Sequence, residues 1–473
     1  MTGMFFSVWD EKACQRVHDA TLEVLAETGV DVLHDEAREL LASAGARVEG
    51  TRVRIDSELV DEALASAPRA FTLNSRGGGS PLAIRDGERY FGTGSDCLFH
   101  RDLATGERRR VRNADIEGMA ALCEKLPNID FVMSMGLPDD VPMALDDVVP
   151  FAAMLAGTRK PFIITPRDGT VLPTILEMAA LCGEANSFVV YSMPAPPLRH
   201  DFVAVDKLVV CARLGIPVLY GPAPHAGASA PSSVAAVTIV GNAEVLSGLV
   251  INQIANPGAP FIYGAYVYAL SMRTSSEVYC SPEAYAGQFA QCDLARFYGL
   301  PSFGYGGITD SKMLDEQWSA ESAITVILSA LSRATLIHDV GYMESGMQSS
   351  YESIVLGEEF IAYARALLRE VRVDDEALAL DEIKAVGPGG NHLARPYTRT
   401  HHREFFDPKF LDKQVYDRWR NSGALTLRDR VHEKALALTQ EPRAFELEPS
   451  VRQKLFEMAA KVRPEERTAV SAG

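Results

Sequence analysis

The chain has 473 residues, of which 47% are hydrophobic and 23% are charged, and this balance excludes a disordered or fibrous protein. The formal net charge of −17 at pH 7 argues against a nucleic-acid partner, because phosphate binding needs a basic face. The basic run from Arg108 to Arg112 is interpreted as a solvated surface patch.

Cysteine usage and apolar runs predict the compartment. Seven scattered cysteines without a C-x-x-C pair are unlike a disulfide framework and predict a reducing, cytoplasmic environment. The N-terminal residues lack the pattern of a signal peptide. Because no uncharged apolar run reaches about 20 residues, no membrane partner is expected.

Residues 1–113 are predicted to form an N-terminal subdomain. Apolar residues at helical spacing predict helices from Asp10 to Gly29, from Asp35 to Ser43 and from Asp56 to Ser66. Short alternating runs broken by glycine-rich turns predict a small β-hairpin layer in residues 69–113.

Residues 114–388 show a repeat in which short apolar runs alternate with helical patterns. Strands that are apolar on both faces and alternate with helices indicate a parallel sheet covered on both sides. An eighth strand is predicted from Glu382 to Pro388. The other seven begin at Phe131, Pro161, Phe188, Pro217, Pro260, Pro301 and Leu336.

This repeat favours an α/β fold of the TIM (β/α)8 barrel type over an open doubly wound sheet. No strand is followed by G-x-G-x-x-G, so no bound nucleotide is predicted. Residues 389–473 are expected to form a C-terminal helical cap, with helices from Leu427 to Leu438 and from Pro449 to Val462. The last ten residues are expected to fray.

Tyrosines are concentrated at the predicted strand ends, where barrels of this type have their active sites. Aromatic faces in a desolvated pocket attract a cation, which suits a quaternary ammonium group that cannot donate hydrogen bonds. Any single tyrosine can instead lie at a strand end because its hydroxyl meets water there. The tyrosines of this rim are Tyr191, Tyr220, Tyr263, Tyr266, Tyr305 and Tyr342.

Four polar residues near the strand ends are further candidates. His338, followed by Asp339, could contact a substrate or cofactor, or be a buried histidine satisfied by a neighbouring carbonyl. Asp310 could cap a helix or hold a polar substrate group. Arg273 could bind a carboxylate through two hydrogen bonds or lie solvated at the surface.

Two enzyme classes lack their motifs. The histidines show no H-E-x-x-H spacing and no cysteine pair lies at a strand end, so no catalytic metal is predicted. No G-x-S-x-G occurs at a strand-to-helix turn, which argues against a serine hydrolase.

Six stretches together resemble the trimethylamine methyltransferase (MttB) superfamily of corrinoid-dependent amine methyltransferases, over nearly the whole chain. They are EVLAETGVDV, ELLASAGARVEGTRVRI, GNAEVLSGLVINQIANPGAPFIYG, SPEAYAGQFAQCDLARFYGLP, YGGITDSKMLDEQ and GGNHLARPYTRTHHRE.

The resemblance implies a donor and an acceptor. The namesake of the family carries pyrrolysine, whereas this chain has only standard residues and is therefore similar to members that use quaternary amines, such as the glycine betaine methyltransferases. A quaternary ammonium expels a neutral amine when its methyl group is attacked, so no electrophilic residue is needed. The implied acceptor is cob(I)alamin on a separate cognate corrinoid protein.

The resemblance also implies site residues. His338 and the GGITDSK segment, with Asp310, are the expected catalytic candidates. Gly306, Gly307 and His338 are expected to face the cofactor, since glycine lets a large flat group approach the backbone. The positions of the predicted strand ends, and not the resemblance, give the expected substrate cage: Tyr305, Tyr342, Tyr263, Tyr266 and Tyr220 with Arg273.

A homo-oligomer is expected. Two other functions are also consistent with the sequence. The methyl group could pass to another acceptor such as tetrahydrofolate. The chain could also be a betaine-binding protein without catalysis.

Overall fold

Eight short parallel strands form the centre of this computed structural model, which describes residues 4–462. Apart from the half-buried Tyr90, their side chains are buried on both faces, as expected for a sheet covered by helices. The strands are β1 (Tyr90–Phe91), β2 (131–132), β3 (Phe162–Ile164), β4 (Phe188–Ser192), β5 (Val218–Tyr220), β6 (Phe261–Tyr263), β7 (Phe303–Tyr305) and β8 (Leu336–His338).

The strands pair in parallel with their neighbours in chain order, and the last pairs with the first. Ladders join β3 to β4, β4 to β5, β5 to β6 and β7 to β8, while single bridges join β1 to β2, β2 to β3 and β6 to β7. Leu336 of β8 pairs with Tyr90 of β1. The pairings therefore close into a ring, and the α/β class expected from the sequence is confirmed.

The predicted eighth strand is wrong. Residues Leu380–Val386 form a helix, and the missing strand is β1, which lies within the segment assigned to the hairpin layer. Glu382 and Lys384 give this stretch a polar face that a buried strand would not tolerate. Two residues are also too few to produce a recognisable apolar run.

A helix follows each ring strand. Most begin at a side-chain cap, and two end at a glycine. Asp201 accepts the N–H of Ala204, and Gly215 has a φ of +68°, which glycine adopts without strain. The helices are Asn113–Glu124, Val148–Gly157, Leu172–Leu181, Phe202–Leu214, Val234–Ala255, Pro282–Tyr298, Glu316–Ser332 and Tyr351–Leu367.

The N-terminal segment packs helices and a small sheet against the ring. Its helices are Glu11–Glu23, continued by a π-helical turn at Val24–Thr28, Asp35–Ser43 and Ser57–Ser66. Its sheet contains Val30–Val32, Arg47–Glu49 and Arg52–Arg54, joined by Arg199–His200. The predicted hairpins are confirmed as Ala70–Leu73 with Leu82–Arg85, and Phe99–Arg101 with Arg108–Arg110.

Further short strands lie in the loops after the ring strands: His225–Ala226, Tyr268–Ser271, Ser276–Val278, Tyr342–Met343 and Gln348–Ser349. The C-terminal part is helical, at Asp375–Leu378, Leu380–Val386, Pro396–His401, Tyr416–Asn421, Leu427–Gln440 and Pro449–Lys461. Short 3-10 turns occur at Arg76–Gly78, Met143–Leu145 and His402–Glu404. The residues expected to fray lie outside those described.

The helix Val234–Ala255 has the length and hydropathy of a membrane span, but 72% of its most apolar window is buried inside the protein. It packs against the ring, where Gly248 leaves room for the Tyr220 ring. A buried position of this kind is typical of a core helix.

Glu244 lies on this helix and is fully buried. Its Oε1 accepts the backbone N–H of Leu198 at 2.5 Å, whereas its Oε2 has no hydrogen-bond partner among the described residues. Burial raises the pKa of the carboxyl group from 4.5 to about 8, so the folded protein favours the protonated form.

Replacing Glu244 by glutamine is therefore expected to stabilise the protein more at pH 9 than at pH 5. The stability associated with the protonated carboxyl is complete below pH 4.5 and is lost as the pH rises through about 8. The difference between parent and variant should grow by about 4 kcal/mol between these pH values. Denaturant unfolding across that range measures it, and an equal difference at every pH would contradict the assignment.

Candidate active site

Six tyrosines, all buried except the half-buried Tyr279, gather at the C-terminal ends of the ring strands, and we call them the tyrosine cluster. Ring centroids of Tyr266 and Tyr268 are 5.4 Å apart, and those of Tyr279 and Tyr305 are 5.8 Å apart. These separations are typical of packed aromatic pairs. The cluster comprises Tyr191, Tyr266, Tyr268, Tyr279, Tyr285 and Tyr305.

The hydroxyl groups of the cluster stay neutral. Burial raises the pKa of Tyr266, Tyr268, Tyr279 and Tyr305 well above the ordinary value of 10. Tyrosinate therefore supplies no negative charge at neutral pH, and the rings offer only their faces and their hydroxyl dipoles.

His338 ends β8 and joins the cluster from one side. Its Nε2 lies 3.0 Å from the hydroxyl of Tyr266 and shares a hydrogen bond with it. The ring of Phe303 stacks on the imidazole at a centroid distance of 4.3 Å. These two contacts fix the orientation of the imidazole.

Asp339 supplies a carboxylate next to the cluster. Its side chain is 1% exposed, and its Oδ1 lies 2.6 Å from Nδ1 of His338 without the alignment of a hydrogen bond. Neither carboxylate oxygen has a hydrogen-bond partner among residues 4–462 that the structure describes. Burying a carboxylate in this way is costly, so its position points to a cationic ligand.

Two features of the backbone hold Asp339 in place. Its φ is +75°, a left-handed conformation that Asp and Asn tolerate better than other residues with a side chain. A Cβ atom at Gly94 would lie 2.5 Å from Oδ1 of Asp339, so the carboxylate needs the glycine there.

Other charges near the cluster are also acidic. Burial is the main cause that raises the pKa of Tyr191, and the carboxylates of Asp339, Asp96 and Glu277 add to it. Glu277 lies 3.4 Å from Nε2 of His225, which it holds at a raised pKa. The electrostatic field at the site therefore favours a cation.

Asp310 lies beside the cluster and ties two loops together. Its carboxylate accepts the hydroxyl of Ser345 at 2.7 Å and the backbone N–H of Cys280 at 3.1 Å. Lys312 donates to the backbone carbonyl of Asp310 at 2.8 Å. The observed contacts of Asp310 are those of a loop anchor.

The side chains of Cys280, Asp310 and Glu321 could bind a metal ion, since their possible ligand atoms lie within 4.8 Å of one another. The carboxylate of Glu321 is already occupied, because it accepts hydrogen bonds from the hydroxyl of Thr309 and the backbone N–H of Asp310. Burial also raises the pKa of the Cys280 thiol, so it is a poor thiolate ligand. The arrangement is explained by hydrogen bonding within the chain.

Three residues expected at the site lie elsewhere. The hydroxyl of Tyr263 donates to Oδ1 of Asn242, and that of Tyr220 lies 2.5 Å from Nδ1 of His200. Both side chains face the outer helices because neighbouring positions on a strand alternate between its faces. Arg273 is exposed in the turn between Tyr268–Ser271 and Ser276–Val278.

Two glycines expected to face a cofactor pack within the chain. A Cβ atom at Gly306 would meet Oγ of Ser329 at 2.6 Å, and one at Gly307 would meet Cα of Val340 at 3.1 Å. Gly307 also has a φ of +79°. Glycine is needed at these two positions because the backbone packs closely against a helix and a loop.

The structure brings Tyr266, Tyr305 and His338 together as expected. Tyr342 lies beside them, since a Cβ atom at Gly94 would meet both its ring and Asp339. Tyr268, Tyr279 and Tyr285 also lie in the cluster and were not predicted from the sequence. The alternation of Tyr266 and Tyr268 could have placed both on one strand face.

A ring of parallel strands with aromatic and acidic side chains at their C-terminal ends defines a class of α/β proteins whose site suits a small organic cation. Comparison with known proteins agrees with this class and narrows it. The chain belongs to the trimethylamine methyltransferase (MTTB) family, whose model matches residues 3–466.

Two relatives match over most of their length. The chain is 30% identical over 438 residues to a glycine betaine methyltransferase of Desulfitobacterium hafniense (strain Y51), covering 90% of this chain and 91% of that protein. It is 31% identical over 453 residues to the trimethylamine methyltransferase MttB of Methanosarcina thermophila, covering 92% and 93%.

A solved structure shares the fold. The monomethylamine methyltransferase MtmB of Methanosarcina barkeri superposes with a TM-score of 0.56 at 12% identity, covering 96% of this chain and 89% of that chain. At this identity the likeness concerns the fold alone.

Proposed function

We propose that this chain is a methyltransferase that takes a methyl group from a quaternary amine, such as glycine betaine or a related betaine, and passes it to cob(I)alamin on a partner corrinoid protein. The observation that carries the proposal is the buried carboxylate of Asp339, which has no hydrogen-bond partner among the described residues and lies beside the tyrosine cluster. Relatives named for betaine and trimethylamine support it.

The residues of the site suit such a donor. A quaternary ammonium has no N–H, so it gains from aromatic faces and from a nearby carboxylate rather than from hydrogen-bond acceptors. The tyrosine cluster excludes water from the cation, and Asp339 fixes its nitrogen. His338, held by Tyr266 and Phe303, is a positioning residue for the carboxylate.

The reaction needs no proton donor. When a methyl carbon is attacked, its C–N bond breaks, the electron pair stays on nitrogen, and a neutral tertiary amine leaves. The docked corrinoid supplies the nucleophile. The contribution of the chain is then orientation and exclusion of water.

The rim of the site suits a docking partner. Five methionines, each at least 40% exposed, lie in loops that follow five different ring strands. Methionine side chains are flexible and adapt to varied surfaces. The five residues are Met143, Met193, Met272, Met313 and Met347.

The architecture is proposed as follows. The ring and its helices form a TIM (β/α)8 barrel, with β1 contributed by the segment 1–113, the remaining strands by 114–388, and a helical cap by 389–473. We further propose that the protein acts in the cytoplasm and carries no nucleotide or metal of its own.

The test combines the purified chain, a reduced corrinoid protein and a panel of quaternary amines. We expect loss of one methyl group from at least one quaternary amine, with the absorbance change of the methylated corrinoid, and no turnover of trimethylamine. Tetrahydrofolate is assayed in parallel as the acceptor. Saturable binding of a betaine without demethylation by either acceptor would contradict the proposal and indicate a binding protein.

A further inference from the structure

The hydroxyl group of Tyr305, at the end of β7, lacks a hydrogen-bond partner. The side chain is 0% exposed, and its hydroxyl oxygen makes no hydrogen bond to any of the residues 4–462 that the structure describes. A buried hydroxyl in this state has given up its hydrogen bonds to water without replacement, which is costly. Such a group needs a specific explanation, and at a binding site a ligand can supply the missing partner.

Tyr305 lies at the centre of the tyrosine cluster. Its ring contacts the rings of four other members, at centroid distances between 5.3 and 5.9 Å. The four are Tyr266, Tyr268, Tyr279 and Tyr285. A ligand held among these aromatic faces therefore lies next to the hydroxyl of Tyr305.

Two other hydroxyl groups of the cluster have polar neighbours. That of Tyr266 shares a hydrogen bond with Nε2 of His338 at 3.0 Å. That of Tyr285 has no aligned partner among the described residues, but Thr325 lies close enough to lower its pKa through a hydrogen bond. Tyr305 has no such neighbour, so its hydroxyl is the one available to a ligand.

The groups around Tyr305 keep its hydroxyl protonated. Burial is the main cause that raises its pKa well above 10, and four acidic groups add to it: Cys280, Asp339, Glu277 and Asp310. A protonated hydroxyl donates a hydrogen bond to an oxygen acceptor. The donor is therefore neutral, and it lies beside the carboxylate of Asp339 that attracts the cation.

Space for a ligand lies against one side of the cluster. A cavity of about 360 Å³ is lined by Tyr268, whose ring contacts that of Tyr305, together with Val267, Leu270 and Val278. A volume of this size accommodates a small organic molecule. Tyr268 separates this cavity from Tyr305.

We propose that the hydroxyl of Tyr305 donates a hydrogen bond to an oxygen atom on the tail of the methyl donor, so that the site selects quaternary amines that carry such a tail. This inference rests on the proposed function, in which Asp339 and the aromatic faces hold the cation. The shared chemistry is a trimethylammonium group a few bonds from an acceptor oxygen, which is a carboxylate in a betaine and a hydroxyl in choline. A donor held at both points has a fixed orientation, whereas tetramethylammonium is held at one.

Tyr305→Phe tests the contact, because it removes the hydroxyl and keeps the ring. Calorimetry on the full chain compares glycine betaine, choline and tetramethylammonium. The affinity for at least one of the two oxygen-bearing ligands should fall by about 3- to 10-fold, which corresponds to one hydrogen bond. The affinity for tetramethylammonium should not change. The ligand with the larger loss identifies the acceptor as a carboxylate or a hydroxyl.

The stability of the ligand-free variant separates binding from a structural role. Since the hydroxyl of Tyr305 has no partner to lose among the described residues, the midpoint of denaturant unfolding should stay the same or rise. Tyr298→Phe is the matched control. The hydroxyl of this buried tyrosine accepts an N–H of Asn242 at 2.9 Å, outside the cluster. Its loss should lower the midpoint and leave all three affinities unchanged.

Three results would overturn the role of Tyr305: equal losses for all three ligands, unchanged affinities for glycine betaine and choline, or a lower midpoint in the ligand-free variant. A lower midpoint with unchanged affinities would indicate a buried water as the partner. If the parent binds tetramethylammonium but the variant shows no selective loss, the cation site stands and only the tail contact is wrong. If the parent binds none of the three ligands, the proposed function fails together with this inference.

Discussion

Asp339→Asn is expected to weaken binding of a quaternary ammonium ion by roughly 100-fold. Two unit charges about 5 Å apart interact by about 3 kcal/mol at an effective dielectric constant of about 20. Asparagine suits the test because it tolerates the left-handed backbone at this position. The positive charge on nitrogen declines as the C–N bond breaks, so Asp339 stabilises the bound substrate more than the transition state. The variant should therefore show a higher KM without a lower kcat.

A neutral isostere provides the control for Asp339. Calorimetry with choline and with 3,3-dimethylbutan-1-ol, its uncharged analogue, should show that only the affinity for choline falls in the variant. Equal losses for both ligands would mean that Asp339 shapes the pocket instead of attracting the cation.

Gly94→Ala is expected to abolish cation binding and to lower the free energy of unfolding by about 3 kcal/mol. The added Cβ atom would overlap the ring of Tyr342 and lie 2.5 Å from Oδ1 of Asp339. Both side chains must move, and the protein interior is too densely packed to absorb the shift. Binding of choline and denaturant unfolding measure the two effects.

Gly241→Ala is the matched control, because this glycine lies inside the helix Val234–Ala255 and its nearest neighbour would be 3.4 Å from the new Cβ atom. It should be neutral or stabilising by up to about 1 kcal/mol, since alanine is the better helix former. A Gly94 variant as stable and as active as this control would contradict the close packing at Asp339.

The sequence was sufficient to predict most of the ring. Short apolar runs bounded by turns predicted seven strands, and apolar residues at helical spacing predicted helices such as Asp35–Ser43 at the observed bounds. β1 was missed because two residues form no pattern, and its place in the ring depends on pairing with β8, far away in the chain. Only the tertiary structure determines that pairing.

The site was predicted in part for a related reason. Strand ends bring Tyr266, Tyr305 and His338 together in any such ring. Tyr220 and Tyr263 were misplaced because the face that a strand residue presents depends on register, which the sequence alone did not fix. Asp339 was noticed beside His338, but its lack of a hydrogen-bond partner is a property of the fold.

Ring closure between β1 and β8 has a consequence for biosynthesis. Tyr90 and Leu336 pair across roughly 250 positions of the chain. During synthesis β1 therefore cannot pair with β8 until most of the protein has left the ribosome. During that interval β1 has an open edge that other strands can pair with. Production of this protein is therefore expected to depend on chaperones that shield a half-formed sheet.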